Sequence, residues 1–189
     1  MFADPELTLG LPAAVTVATG IDALTHNIEN YLSMVYHPLC DGIALEGARI
    51  AASAQRAAVL EPGNHKARSD MMMSSMMGAI AFQKDLGAVQ YCAHALMLDT
   101  ALAWNYEAVP EKFDELAHVC GLTGGGAALV PWIQHRKADI GITGGLAARG
   151  VKPEHLPRLV AIATADICHQ TNPRPCTAAE FERLLKAAM

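Results

Sequence analysis

Aromatic residues are scarce in this 189-residue chain, only 5% of the total. That scarcity speaks against a sandwich of β-sheets, which relies on large β-forming side chains. Basic residues are few as well: 14 Lys and Arg stand against 19 Asp and Glu, a formal charge of −5, with no basic stretch. Nucleic-acid binders draw most of their affinity from neutralising phosphates, so no nucleic-acid partner is expected. No apolar run approaches the roughly 20 residues that span a bilayer as a helix, so no membrane partner is expected either. Met1–Glu6 has neither a basic start nor an apolar centre and does not read as a signal peptide. The five cysteines (Cys40, Cys92, Cys120, Cys168, Cys176) are odd in number and form no CxxC pair. Such usage suits a reducing cytoplasm rather than a disulfide framework. GxGxxG after a strand is missing, so these residues encode no dinucleotide site, and Gly124-Gly125-Gly126 reads as a flexible helix entry. A Gly-flanked Ser or Cys on a strand-to-helix turn is missing too, which argues against a nucleophilic hydrolase.

What is present is apolar, small and helical in pattern. Hydrophobic residues make up 52% of the chain, Ala, Leu, Met, Val and Ile foremost. Such a composition favours closely packed helices. The punctuation predicts an all-α, multi-helix bundle of roughly eight helices. A Pro-containing lead-in covers residues 1–18, and the helical domain covers 19–189. Helices are expected from Thr19 or Asp22 to Ser33, Asp41 to Leu60, His65 to Phe82, and through Gln90, His94 and Leu98. Further ones follow over Glu111–Cys120, Ala127–Ile140, Pro153–Ile167 and from Thr177, which caps the last, to Met189. The methionines of the third helix, Met71-Met72-Met73 and Met76-Met77, are expected to pack in the core.

The chemistry-bearing stretch runs from Thr19 to Glu29. Asp22 and His26 are four residues apart, hence on one helix face a turn apart. A carboxylate and an imidazole so placed can reach one divalent metal, a mixed O/N pair suited to Fe(II) or Zn(II). Glu29, next on that face, could steady a ligand from behind. Taken alone, the spacing is explained more simply by a surface ion pair or by charge at a helix N-terminus. Lys84 reads as a solvated cation at a helix end. Six other histidines (His37, His65, His118, His135, His155, His169) are expected in loops or on polar faces, without a carboxylate or cysteine at ligand spacing.

The segments DPELTLGLP (4–12) and ATGIDALTHNIE (18–29) resemble the entry to the helical domain of iron-containing (group III) alcohol dehydrogenases. The likeness continues through ARSDMMMSSMMGAIAFQKDLGAVQYCAHAL (67–96) and the closing segment from Asp139, with its Asn172-Pro173-Arg174 turn. The resemblance implies a dehydroquinate synthase-like α domain and NAD(P)-linked interconversion of small alcohols and aldehydes. It also implies a metal, iron or zinc, held by one Asp and three His, with the nicotinamide carried on a separate α/β domain that these residues do not encode. Asp22 and His26 match the first two ligands. Gln90 stands where a third, histidine, ligand is expected, a weaker donor. His94, a turn later, matches a family histidine lining the site and is the candidate catalytic residue. The last ligand's segment is expected to be missing where Leu98-Asp99-Thr100 runs into Ala101, leaving Asp99 as the only nearby substitute. The resemblance thus implies a weakened metal site, no turnover by this chain alone, and a homo-oligomer through an uncovered apolar face. A non-catalytic binding or oligomerisation module derived from that family is the alternative.

Overall fold

The computed structural model describes residues 3–84 and 94–189, the side chains of His94 and Ala95 apart. Eight α-helices and several short 3-10 turns make up the described residues, which hold no strand. The all-α expectation stands. The helices are α1 (Ala13–Leu32), α2 (Pro38–Leu60), α3 (His65–Ala81), α4 (His94–Tyr106), α5 (Pro110–Val119), α6 (Leu129–Asp139), α7 (Leu156–Ala165) and α8 (Ala178–Ala187).

Local chemistry sets most of the boundaries. α1 starts at Ala13, ahead of the expected Thr19–Asp22, because Pro12 ends the lead-in and the Ala13-Ala14 pair is strongly helix-forming. Pro38 begins α2 at a position where a missing N–H costs nothing, while His37 Nδ1 accepts the Cys40 N–H at 3.3 Å. Asn64 caps α3, its Oδ1 accepting the Ala67 N–H at 3.0 Å. Gly126–Ala128 forms a 3-10 turn before α6, and Pro153–His155 another before α7, so both helices are shorter than their patterns suggest. Thr177 and Glu180 form a reciprocal capping box at the head of α8.

Two apolar clusters hold these helices. The first gathers Ile21, Leu24 and Ile28 of α1, Ala44, Ala48 and Ala51 of α2, Phe113 and Leu116 of α5, and Leu129 and Ile133 of α6. The alanine row on α2 and Gly47 beside it let α1 lie close, and α3 approaches α1 at Gly78. The second gathers Leu156, Ala163, Phe181, Leu184 and Leu185 at the C-terminal end. α4 serves both, with Leu98 and Leu102 in the first and Met97 and Ala101 in the second. A helix apolar on opposite sides belongs between two layers. The Asn172-Pro173-Arg174 turn locks the second cluster onto α4. Asn172 and Asn105 exchange carboxamide hydrogen bonds at 2.7 and 2.9 Å, and Arg174 lies 3.4 Å over the Trp104 ring.

The methionines of α3 depart from expectation. Met71 packs against the first cluster, but Met73 is half exposed, and Met71, Met72 and Met76 wall a cavity instead of filling a core.

Candidate functional site

α1 carries Asp22 and His26 on one face, with Asp22 Oδ2 3.6 Å from His26 Nδ1. The environment sets this pair apart from an ordinary surface pair. The His26 side chain is 16% exposed and meets the edge of Phe82 at 4.6 Å, whereas Asp22 is 44% exposed and opens onto a groove. Beneath His26, polar side chains clamp α3 against α1. Asn27 Nδ2 donates to the Ser74 carbonyl at 2.9 Å and to Ala23 O at 2.8 Å, and Asn30 Nδ2 donates to Gly78 O at 3.0 Å. Gly78 makes the approach close, since a Cβ there would sit 3.2 Å from His26 Cβ, a tight contact. The imidazole is therefore placed beside a buried polar seam. Glu29, on the same helix, is 3% exposed.

The groove beside Asp22 has a volume of about 690 Å³ and is walled by Val17, Ile21, Val59, Leu96 and Ile142, with Arg149 as its cation. Sequence reasoning missed Leu96 and Arg149. They come from distant parts of the chain, and no local pattern marks them.

The other candidates divide. Gln90 lies outside the described residues, and His94 opens α4 with its side chain equally outside them. Asp99, the proposed substitute ligand, is taken by Lys137, whose Nζ lies 2.6 Å from its Oδ1 and also donates to Leu96 O at 3.3 Å. Lys84 is not the solvated cation expected of it. Its side chain is fully buried, paired with Asp41 and donating to the Tyr31 carbonyl at 3.3 Å, so it finishes the C-terminal end of α1 from within. Lys112 reaches the same end, donating to Tyr31 O at 2.8 Å and Ser33 O at 3.2 Å. Burial, with Lys84 beside it, holds the Lys112 ammonium below its usual range. Tyr31 donates its hydroxyl to Glu115, and burial followed by that bond drives its phenol well upward.

One expectation fails outright. His135 has a carboxylate at ligand spacing, Asp139, at 3.9 Å. Its side chain is 82% exposed, however, and Asp139 also faces Arg56 at 3.8 Å. Spacing alone thus recurs in this chain, at Asp114 and His118 of α5 as well, and burial distinguishes His26 from His135.

Could the described residues hold a divalent metal? Among them, no group of three or more His, Cys, Asp or Glu side chains converges. Asp22 and His26 supply two donors where a closed site needs about four. The donor set as described does not fit a tightly held metal, and no reaction step is routed through one.

The family model for the C-terminal part of the Fe-containing alcohol dehydrogenase family matches residues 16–96 and 90–189. The two matched stretches overlap at 90–96. The chain is 34% identical to 4-hydroxybutyrate dehydrogenase of Cupriavidus necator over 209 residues, covering 98% of this chain and 54% of that protein. It is 33% identical to 1,3-propanediol dehydrogenase of Klebsiella pneumoniae, with 98% and 54% covered. An aligned length of 209 exceeds the 189 residues available, so such relatives carry residues with no counterpart here. Among solved structures, a 1,3-propanediol oxidoreductase superposes with a TM-score of 0.93 at 33% identity, over 98% of this chain and 55% of that one. A sulfoacetaldehyde reductase from Bifidobacterium kashiwanohense, solved with NAD+, gives 0.89 at 27% identity, over 98% and 53%. The chain therefore spans about half the length of the relatives it matches. With the Asp22–His26 face on its first helix and the family pattern running from residue 16 to 189, the chain belongs to the Fe-containing alcohol dehydrogenase family and corresponds to its C-terminal part.

Proposed function

We propose that this chain is the helical half of an NAD(P)-linked alcohol or aldehyde oxidoreductase, and that as a 189-residue polypeptide it does not turn over substrate. The observation that carries the reading is the Asp22–His26 pair, half-sheltered at a groove on a family-matched helix, with no converging third donor among the described residues. Hydride transfer requires nicotinamide and substrate to be held in contact, and the described helices offer no dinucleotide-binding turn. Iron or zinc at Asp22 and His26 is expected to bind weakly, since two protein donors leave most of the coordination to water.

Elemental analysis of protein purified without chelator tests the metal side of this reading. The expectation is well under one equivalent of iron and zinc together, lost on dialysis. A stoichiometric, dialysis-resistant metal would overturn it. An NAD(P)H oxidation assay with short aldehydes should show no rate above the protein-free blank, and turnover that tracks the purified chain would overturn that part.

The apolar groove beside Asp22 favours a second reading, an oligomerisation module in which a second copy covers Val17, Ile21 and Ile142. Sizing with light scattering decides it: a dimer that Ile142→Glu dissociates supports this reading, and a monomer at all concentrations ends it.

A further inference from the structure

A second cavity, of about 290 Å³, lies between α1, α2, α3 and the residues leading into α1. It includes neither Asp22 nor His26. Its walls are mostly apolar (Leu11, Met71, Met72 and Met76), and two buried polar side chains line it, Arg68 and Gln55.

Each of these is costly as it stands. Gln55 is fully buried, and neither Nε2 nor Oε1 has a hydrogen-bond partner. A buried carboxamide without partners costs about 1–3 kcal/mol for each unmet group. Arg68 is 4% exposed, and no carboxylate among the described residues pairs with it. Nε donates to Pro62 O at 3.3 Å and Nη1 to Thr16 Oγ1 at 2.8 Å, both neutral acceptors, while Nη2 makes no hydrogen bond among the described residues. The acidic side chain nearest in sequence, Asp70, is engaged by Lys66 at 2.7 Å. Buried guanidinium groups are normally matched by a carboxylate or phosphate. Here the matching anion is not supplied by the described residues, and the cavity is where it would sit.

We propose that this cavity binds a small organic carboxylate with an apolar body. The carboxylate takes the free edge of Arg68 and the Nε2–H of Gln55, while Gln55 Oε1 accepts from a hydroxyl or water entering with it. The body lies against Met71, Met72 and Met76, whose unbranched thioethers adapt to varied shapes. The volume sits near the lower bound of about 300 Å³ for small-molecule sites, which limits the ligand to a short chain. A single cation among mostly apolar walls favours a monocarboxylate over a phosphate, whose second charge would go unmet. The site shares no residue with the Asp22–His26 groove except by way of α1, so it stands or falls independently of the proposed oxidoreductase reading.

The test uses the 189-residue chain labelled at the methionine methyl carbons, with sodium hexanoate as the probe. Of the nine methionines, the signals of Met71, Met72 and Met76 should move saturably, and those of Met34 and Met189 should not. Hexanol and inorganic phosphate are the controls, carrying the body without the charge and the charge without the body. Both should bind at least about tenfold more weakly, as should hexanoate to Arg68→Gln, because a charged hydrogen bond is lost. Met72→Trp, which fills the cavity and leaves Arg68 in place, should abolish the response. It also carries the test if Arg68→Gln fails to give a folded spectrum. No shift with hexanoate up to about 10 mM, equal binding of either control, or unchanged binding to Met72→Trp overturns the proposal.

Discussion

Two glycines in one helix should respond to alanine with opposite signs. Gly42 and Gly47 both lie in α2, and intrinsic propensity predicts that alanine at either gains about 0.5–1 kcal/mol. At Gly42 an added Cβ meets nothing within 4 Å, so Gly42→Ala should realise that gain. At Gly47 the same Cβ would overlap the Asn27 carboxamide, most deeply at Oδ1, with Cγ at 2.5 Å and Nδ2 at 2.9 Å. Asn27 cannot turn aside cheaply. It is fully buried, and its Nδ2 is engaged by Ala23 O and by the Ser74 carbonyl and hydroxyl. Relieving the overlap means either separating α1 from α2 or breaking those bonds. Overpacking of this kind costs about 1–3 kcal/mol, and a buried amide left unmet adds about 1–3 kcal/mol. Less the propensity gain, Gly47→Ala should lose about 3 kcal/mol, or roughly 6–12 °C in Tm for a chain of this size. Urea unfolding of both variants beside the parent checks the pair. If Gly47→Ala proves as stable as the parent while Gly42→Ala gains, the close α1–α2 contact at Asn27 is wrong.

Other consequences follow from the buried charges and the unmet amide. Lys84→Met should destabilise by about 2–4 kcal/mol in thermal melts, because Asp41 then keeps its charge without a partner. Asp41→Asn combined with it should recover part of that loss, and no recovery would deny the pairing. Burial pushes the Cys120 thiol up to about 12 from 9.0, only partly opposed by Arg136. The folded chain therefore holds this proton between pH 9 and 12 while the unfolded chain releases it, so the stabilisation is complete below pH 9 and is lost as pH rises towards 12. Urea midpoints should fall between pH 8 and 11, and Cys120→Ala should flatten that fall; an identical slope in the variant would refute the assignment. Without a ligand, Gln55→Leu should raise the urea midpoint by an amount worth about 1–2 kcal/mol, since an apolar isostere relieves two unmet groups. A lower midpoint would mean that the carboxamide is satisfied after all.

The sequence by itself settled the class of this protein because the signals involved are local and repeated. Helix-forming composition, Pro and Asn at helix starts, and the Thr177–Glu180 box each act within a few residues, so eight helices could be read, although α1 begins at Ala13, well ahead of the expected Thr19–Asp22. The family likeness held for a related reason, since it rested on several segments in fixed order. Asp22 and His26 were legible because helical spacing places them together whatever surrounds them. Their standing was not legible. His135 and Asp139 have the same spacing, and only tertiary packing sheltered one histidine and left the other in solvent. Lys84 was misjudged for the same reason, and the surroundings of Asp99 could not be read at all: their partners, Asp41 and Lys137, lie 43 and 38 residues away. The α3 methionines looked like core, and packing instead opened a cavity beside them with Arg68 and Gln55 in its wall. Periodicity fixes which face of a helix a residue occupies. What that face meets depends on contacts between distant segments, and these decide burial, charge pairing and empty space.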